Sequence, residues 1–77
     1  MDRPDYQAEI RELNLAYLML AQQMLRGDRA TALFRLGISD ALADLIESMS
    51  AAKLVRMASS QMLLPCFRFD DAQIARL

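Results

Sequence analysis

Residues 10–27 read IRELNLAYLMLAQQMLRG, and this stretch decides the fold. Its apolar side chains recur at spacings of three and four residues, which is the period of an α-helix packed against other helices. The positions that follow this spacing are Ile10, Leu13, Tyr17, Leu20 and Met24. A second stripe, on another face, consists of Leu15, Leu18 and Leu25 with Met19 between them. Because a helix on the surface of a single core needs only one apolar stripe, the sequence predicts a long first helix that is covered from two sides.

Three shorter helices are predicted after the first one. Gly27 is expected to end the first helix and Gly37 the second, since glycine adopts the left-handed conformation of a helix end without a steric penalty. Asp28, Ser39 and Ser50 are the predicted N-caps, because their side-chain oxygens can accept a free amide at a helix start. The predicted inward positions are Ala30, Leu33 and Phe34 in the second helix, Leu42, Leu45, Ile46 and Met49 in the third, and Leu54, Val55 and Ala58 in the fourth.

The helical period is lost after the fourth helix. Pro65 has no amide hydrogen with which to continue a helix, and Phe67 and Phe69 alternate around a charged residue as in a strand. The sequence therefore predicts an extended segment over residues 63–69.

A fifth helix is a candidate at the end of the sequence, with Asp70 or Asp71 as its cap. Ile74 and Leu77 still keep the helical register where the sequence stops. We therefore expect the natural protein to continue beyond Leu77.

The size and composition favour self-association. The chain has 77 residues, of which 55% are hydrophobic. Below roughly 70–80 residues a single core rarely gives enough stability without disulfides, metal ions or oligomerisation. One cysteine cannot form a disulfide within the chain, and the absence of histidine argues against a zinc site. Oligomerisation is the remaining source of additional stability, and no metal or cofactor is expected.

Charge and residue inventory exclude several function classes. Nine basic and ten acidic residues leave no basic stripe for a phosphate backbone, so the chain alone is predicted to bind DNA poorly. Nucleophilic catalysis needs a base beside the nucleophile, and no histidine is available to Cys66 or to any serine. The sequence thus indicates a protein that is not an enzyme. The acidic start is unlike a signal peptide, and the longest apolar run, residues 15–21, is far shorter than the ~20 residues of a membrane span. A soluble, cytoplasmic protein is expected.

Residues 32–39, ALFRLGIS, combine a short helix with a tight glycine turn, as a helix-turn-helix does. The next helix would then present Asp40, Asp44 and Glu47 to DNA, without a lysine or arginine. Carboxylates have the wrong sign to face phosphates. An ordinary αα-hairpin is the favoured interpretation.

Two surfaces are candidate interaction sites. The seam, defined as Leu13, Tyr17, Leu20 and Met24, is interpreted as a self-association surface, with an intramolecular core as the alternative. Phe34 and Arg35 are either a core residue and a solvated residue or part of a surface for another protein, and the sequence leaves both interpretations open.

Three segments resemble one known family: NLAYLMLAQ at 14–22, FRLGI at 34–38 and CFRFD at 66–70. They are similar to FlhD, a family of flagellar transcriptional regulators, and the resemblance runs without gaps from about Glu9 to Asp71. FRLGI together with FRFD at this separation is specific, although neither segment is specific alone.

The resemblance implies a cytoplasmic, all-α homodimer that acts with a second protein, FlhC. Their complex would bind promoters of flagellar operons and recruit RNA polymerase, so that promoter DNA is met only through the complex. On this basis we expect Phe67 and Phe69 to close the dimer seam. We expect Asp28, Phe34 and Arg35 to contact another protein.

The chain departs from the family pattern at its cysteine. The family places an intersubunit disulfide two residues before FRFD, where this sequence has Pro65, and the thiol follows at Cys66. Neighbouring side chains of a strand point to opposite faces, so the shift turns the sulfur away from its symmetry mate. A Cα–Cα separation under about 7 Å would still permit the bond, and Cys66 stays a candidate for an intersubunit disulfide. The family's own helix-turn-helix region lies beyond Leu77.

Together these observations predict one domain over residues 1–77, truncated at its C-terminus. It is expected to be a small all-α bundle of four to five short helices with a long first helix and a short extended segment, assembled as an intertwined homodimer. The expected function is that of the FlhD-like scaffold subunit of an activator of flagellar (class 2) operons. The alternatives are a regulatory adaptor that binds or sequesters FlhC or another partner without binding DNA, and a plain dimerisation module.

Overall fold

The structure, a computed structural model, describes residues 6–60, 62–65 and 76, and this part of the chain contains four α-helices and no strand. Helix α1 spans Gln7–Gly27, α2 spans Arg29–Leu36, α3 spans Asp40–Ser48 and α4 spans Ala51–Ala58. The all-α class and the long first helix are confirmed. The candidate fifth helix lies outside the described residues, as do positions 66–69 of the predicted extended segment. None of the described helices has the length and apolarity that crossing a membrane requires.

Side-chain caps begin the three short helices as predicted. The side chains of Asp28, Ser39 and Ser50 each accept the backbone N–H three residues further on, at 3.2–3.3 Å. Gly37 ends α2 in the left-handed conformation, with a φ of 66°. These four predictions are confirmed, and each rests on an interaction within a single turn of helix.

The predicted role of Gly27 is wrong. Gly27 is the last residue of α1, and among the described residues only Gly37 has a positive φ. Helix α1 ends because Asp28 adopts an extended backbone conformation, with a φ of −151° and a ψ of 93°. Its N–H still donates to the carbonyl oxygen of Met24 at 2.9 Å, while its side chain caps α2. One residue therefore closes one helix and opens the next.

Helix α1 packs against each of the other three helices and forms one wall of two apolar clusters. The first cluster consists of Ala21, Leu25, Ala32, Ala43 and Ile46, and the second of Leu18, Met49, Leu54 and Ala58. In the second stripe of α1, Leu18 and Leu25 are thus buried in the core and Leu15 packs against it, whereas Met19 is exposed. Three of the five residues of the first cluster are alanines, against one of four in the second.

Several predicted inward positions face outward instead. Phe34 is 84% exposed, and Leu42, Leu45 and Val55 are between 39% and 48% exposed. Helices α2, α3 and α4 have only eight or nine residues each. Each buries a narrow stripe against α1, and in α2 that stripe contains Ala32 rather than Phe34. The apolar stripes that the sequence predicts for these helices are wider than the surface that α1 covers.

Two carboxamides of α1 hold the carboxyl ends of α3 and α4. Gln22 Nε2 donates to the carbonyl oxygens of Ile46 at 3.0 Å and Met49 at 2.9 Å, where α3 ends. The Asn14 side chain is fully buried, and its Nδ2 donates to the carbonyl oxygen of Ala58, the last residue of α4, at 3.1 Å. These bonds satisfy carbonyl groups that a helix end leaves without an intrahelical partner.

Asn14 also fixes the chain that follows α4. We call residues 62–65 the strap; they have no regular secondary structure. Nδ2 of Asn14 donates to the carbonyl oxygen of Met62 at 2.9 Å, and Oδ1 accepts the N–H of Leu64 at 2.7 Å. The strap is thereby held on the same helix that carries the seam.

The two glycines should respond oppositely to alanine. A Cβ at Gly27 meets no heavy atom within 4 Å and the residue is helical, so we expect Gly27→Ala to stabilise the fold by about 0.4–1 kcal/mol. Gly37 has a φ of 66°, and Gly37→Ala should destabilise it by about 1–2 kcal/mol. Urea unfolding at one protein concentration measures both. Stabilisation of equal size by the two substitutions would contradict this assignment.

Candidate protein-interaction surfaces

The seam lies along the side of α1 that the other helices leave uncovered. Leu13 and Leu20 are 51% and 54% exposed, and Tyr17 is half-buried beside the second cluster. Met24 is also half-buried, but it packs against the first cluster. Leu13 and Leu20 therefore lie at the surface, whereas Tyr17 and Met24 are half-buried at the edges of the two clusters.

An open apolar cavity of about 510 Å³ lies beside the seam. Tyr17 contributes from α1, Ile38 and Leu42 from the start of α3 and its preceding turn, and Leu64 and Pro65 from the strap. Arg35 is the one charged side chain among the described residues of the lining. The cavity connects the seam to one residue of the candidate α2 surface.

The three residues of the candidate α2 surface do not share one environment. Phe34 projects outward with 84% of its surface exposed, and Arg35 borders the cavity. Asp28 is exposed at the start of α2 and does not line the cavity. The structure thus brings Arg35 close to Tyr17, whereas Asp28 and Phe34 belong to other parts of the surface.

Asp28 is the N-cap of α2, and both of its carboxylate oxygens are engaged in this structural role. Its Oδ1 accepts the N–H of Thr31 at 3.2 Å and its Oδ2 accepts the Thr31 hydroxyl at 2.7 Å. The hydroxyl bond, followed by the backbone bond, holds the pKa of Asp28 below its ordinary value. Both hydrogen bonds favour the ionised form of the Asp28 carboxyl, and so does the positive end of the α2 dipole.

Arg29 is the centre of an ion-pair cluster that the sequence did not predict. Its guanidinium bridges three carboxylates of α3: Asp44 at 2.7 Å, Glu47 at 3.0 Å and Asp40 at 3.4 Å. The hydrogen bond to Asp44 is the main reason why the pKa of Arg29 is raised. Exposed pairs contribute little stability, about 0–1 kcal/mol each. Three carboxylates against one guanidinium leave two negative charges in this cluster. Arg26 lies beside it and donates to the carbonyl oxygen of Glu47 at 3.0 Å, and with this second cation one net negative charge remains, which gives phosphates no net attraction to α3.

Asn14 and Gln22 were also missed, because an asparagine or glutamine in a helix is ordinarily read as a surface residue. A usable signal was present. The two residues are the first and last of NLAYLMLAQ, and their spacing of eight places both on the face of α1 that carries Leu18 and Leu25. A polar residue on the apolar face of a helix indicates a buried hydrogen bond.

The remaining sequence-predicted site residues, Cys66, Phe67 and Phe69, lie outside the described residues.

Exposed apolar helix faces around an open cavity, on a bundle of short helices, are typical of a protein-interaction module. Comparison with known proteins shows the family to which this module belongs. Residues 1–77 match the family described as flagellar transcriptional activator (FlhD). The chain belongs to the FlhD family, which consists of transcriptional regulators and not of enzymes. The family resemblance seen in the sequence is confirmed.

Individual relatives agree with the family match. The flagellar transcriptional regulator FlhD of Ralstonia nicotianae is 61% identical over 77 residues, which cover all of this chain and 73% of the relative. The protein of the same name from Nitrosomonas eutropha is 55% identical over 69 residues, 90% of this chain and 66% of the relative. That of Bordetella bronchiseptica is 58% identical over 64 residues, 83% of this chain and 60% of the relative.

The Asp28 cap makes stability depend on pH in a defined direction. A carboxyl whose pKa is lowered by folding stabilises the fold above its unfolded pKa, near 3.8, and this contribution is lost as the pH falls through the folded pKa. Thr31→Val removes the hydroxyl donor, so the pKa of Asp28 should rise toward 3.8 and the variant should be less stable at about pH 7. The difference from the original chain should shrink at about pH 3.

NMR titration of the Asp28 carboxyl and thermal unfolding at the two pH values measure these effects. Thr31→Ser is the matched control, because it keeps the hydroxyl and should keep the low pKa. An unchanged Asp28 pKa in Thr31→Val would show that the hydroxyl bond is not the main cause.

Proposed function

We propose that this chain is the dimeric scaffold and partner-binding subunit of an activator complex with FlhC. The observation that carries the proposal is that separate helices present exposed apolar side chains: Leu13 and Leu20 on α1, and Phe34 on α2. Two separate surfaces allow one chain to bind a second copy and a different protein at the same time. Membership of the FlhD family supplies the regulatory context.

The homodimer is proposed to form along the seam. The exposed fractions of Leu13 and Leu20, 51% and 54%, leave apolar area that association would remove from water. Met24 would join at the edge of the core. Phe67 and Phe69 are proposed to close the interface on the basis of the family resemblance, and an intertwined arrangement follows from the same source. Cys66 stays a candidate for an intersubunit disulfide.

FlhC is proposed to contact the surface of α2 through Asp28, Phe34 and Arg35. Aromatic side chains and arginine are both enriched in the cores of protein interfaces. Since Asp28 is already engaged as a cap and Arg35 borders the cavity beside the seam, we assign the larger part of the contact to Phe34.

Promoter DNA is proposed to be met through the complex, which would recruit RNA polymerase to flagellar class 2 operons in the cytoplasm. The net charge of −1 and the acidic face of α3 support this division of labour. One domain over residues 1–77 would then act without chemistry of its own. The same charges favour one alternative, a regulatory adaptor that binds or sequesters FlhC and never reaches DNA.

A mobility-shift experiment on a flagellar promoter tests the function. We expect a shift with this chain and FlhC together and none with this chain alone. Phe34→Ala should weaken the FlhC complex by about tenfold or more, a loss of about 1.4 kcal/mol or more. The unfolding transition of Phe34→Ala, measured beside binding, separates loss of the contact with FlhC from loss of stability.

Lys53→Ala, on the exposed side of α4, is the control and should bind FlhC normally. A shift with this chain alone would overturn the argument from charge. FlhC binding without a shift would favour the adaptor, and the lack of FlhC binding would leave a plain dimerisation module.

The seam has its own test. Leu20→Asp places a carboxylate in the proposed interface, where burial of an unpaired charge is strongly unfavourable, so we expect a folded monomer by light scattering. Met19→Asp is the matched control, since Met19 is 48% exposed on the other side of α1 and Leu20 is 54% exposed. This control should remain dimeric. If Leu20→Asp were also a folded dimer, the interface would lie elsewhere.

A further inference from the structure

The strap is attached to α1 through its backbone. Asn14 accepts the N–H of Leu64 and donates to the carbonyl oxygen of Met62, and the same amide group also donates to Ala58. All three bonds join residues more than forty positions apart in the sequence. Asn14 therefore fixes the path of the strap, whatever side chains the strap carries.

The path of the strap determines the shape of the surface beside the seam. Leu64 packs against the second cluster together with Tyr17, and Leu64 and Pro65 line the cavity that Tyr17 also lines. If the strap left α1, this wall of the cavity would be lost and Tyr17 would be uncovered on that side. Leu64 and Pro65 thus form part of the apolar surface between the seam and the cavity, and the Asn14 bonds hold the backbone of the strap in the position where they do so.

We propose that Asn14 is a positioning residue for self-association: by holding the strap on α1 it completes the apolar surface that a second copy of this chain covers. The inference rests on the proposed homodimer and adds a condition to it.

A second copy is the occupant that the surface chemistry favours. Among the described residues that line the cavity, Arg35 alone is charged, so a two-fold copy brings few like charges of this lining together. In this part of the chain a nucleic acid would find a single cation at the cavity, which is too little to release counterions from its backbone. The half-exposed Leu13 and Leu20 extend the same face with apolar side chains.

Thermodynamic linkage makes the proposal testable in the unaltered chain. If closure of the Asn14 bonds favours association, then association must favour closure by the same factor. Hydrogen exchange at the Leu64 amide reports on closure, because its N–H is bonded to Asn14 Oδ1 at 2.7 Å. Its protection should rise by about tenfold or more as the protein concentration is raised through the dimer dissociation constant.

The Lys53 amide is the internal control for exchange. It donates to Ser50 Oγ within α4 at 3.3 Å, at an exposed helix start, and its protection should not follow concentration. If the protection of the Leu64 amide, like that of Lys53, did not change with protein concentration, the proposal would be overturned, whatever the results with variants.

The variant Asn14→Leu removes all three bonds and keeps the number and branching of the side-chain heavy atoms. We expect its dimer dissociation constant, measured by analytical ultracentrifugation, to be larger by about tenfold or more. Ala32→Gly is the control for lost stability, since Ala32 is buried in the first cluster and is neither a strap nor a seam residue. It should be destabilised yet associate normally.

The outcomes separate this inference from the proposal on which it rests. If the unaltered chain dimerises and Asn14→Leu associates as well as Ala32→Gly does, the positioning role is wrong and the homodimer stands. If the unaltered chain is monomeric at every concentration, both are wrong. Weaker association of Asn14→Leu together with concentration-dependent protection of Leu64 would support the positioning role.

Discussion

The constraint on which the rest of the structure depends is the need of helix carboxyl ends for hydrogen-bond donors. Helices α3 and α4 are short, and their carboxyl ends lie against α1. Gln22 meets this need at the end of α3, and Asn14 does so at the end of α4. Leaving a buried carbonyl without a donor costs about 1–3 kcal/mol, a large part of the stability that a small domain has. The positions of these two amides therefore determine where along α1 each short helix comes to rest.

Local interactions made much of the fold predictable from the sequence. The caps Asp28, Ser39 and Ser50 bond to amides three residues away, and Gly37 is read from the backbone conformation that a helix end requires. The failures arise where a distant element decides. Gly27 stays helical because Asp28 already ends α1, and Phe34 is outward because α1 covers only the stripe that contains Ala32.

The candidate surfaces were predictable to different degrees for the same reason. The two stripes of α1 follow from helical period alone, and the structure places Leu18 and Leu25 of the second in the core while Leu13 and Leu20 stay exposed. The bonds from Asn14 to the strap span 48 and 50 residues, and no periodicity carries that information. Arg29 likewise meets the carboxylates of α3 only because the hairpin folds back, so a face that looked purely acidic is partly neutralised.

Helix α1 thus joins stability to assembly. Its inner face gathers the apolar clusters and the two capping amides, while its outer face leaves the seam uncovered. Asn14 and Leu13 are adjacent in the sequence, so any rotation of α1 that loosens the strap also turns the seam. In a chain of 77 residues there is no second long helix among the described elements to separate these tasks. Folding and association are consequently coupled through one element, and a partner that binds the outer face of α1 acts on the stability of the whole bundle.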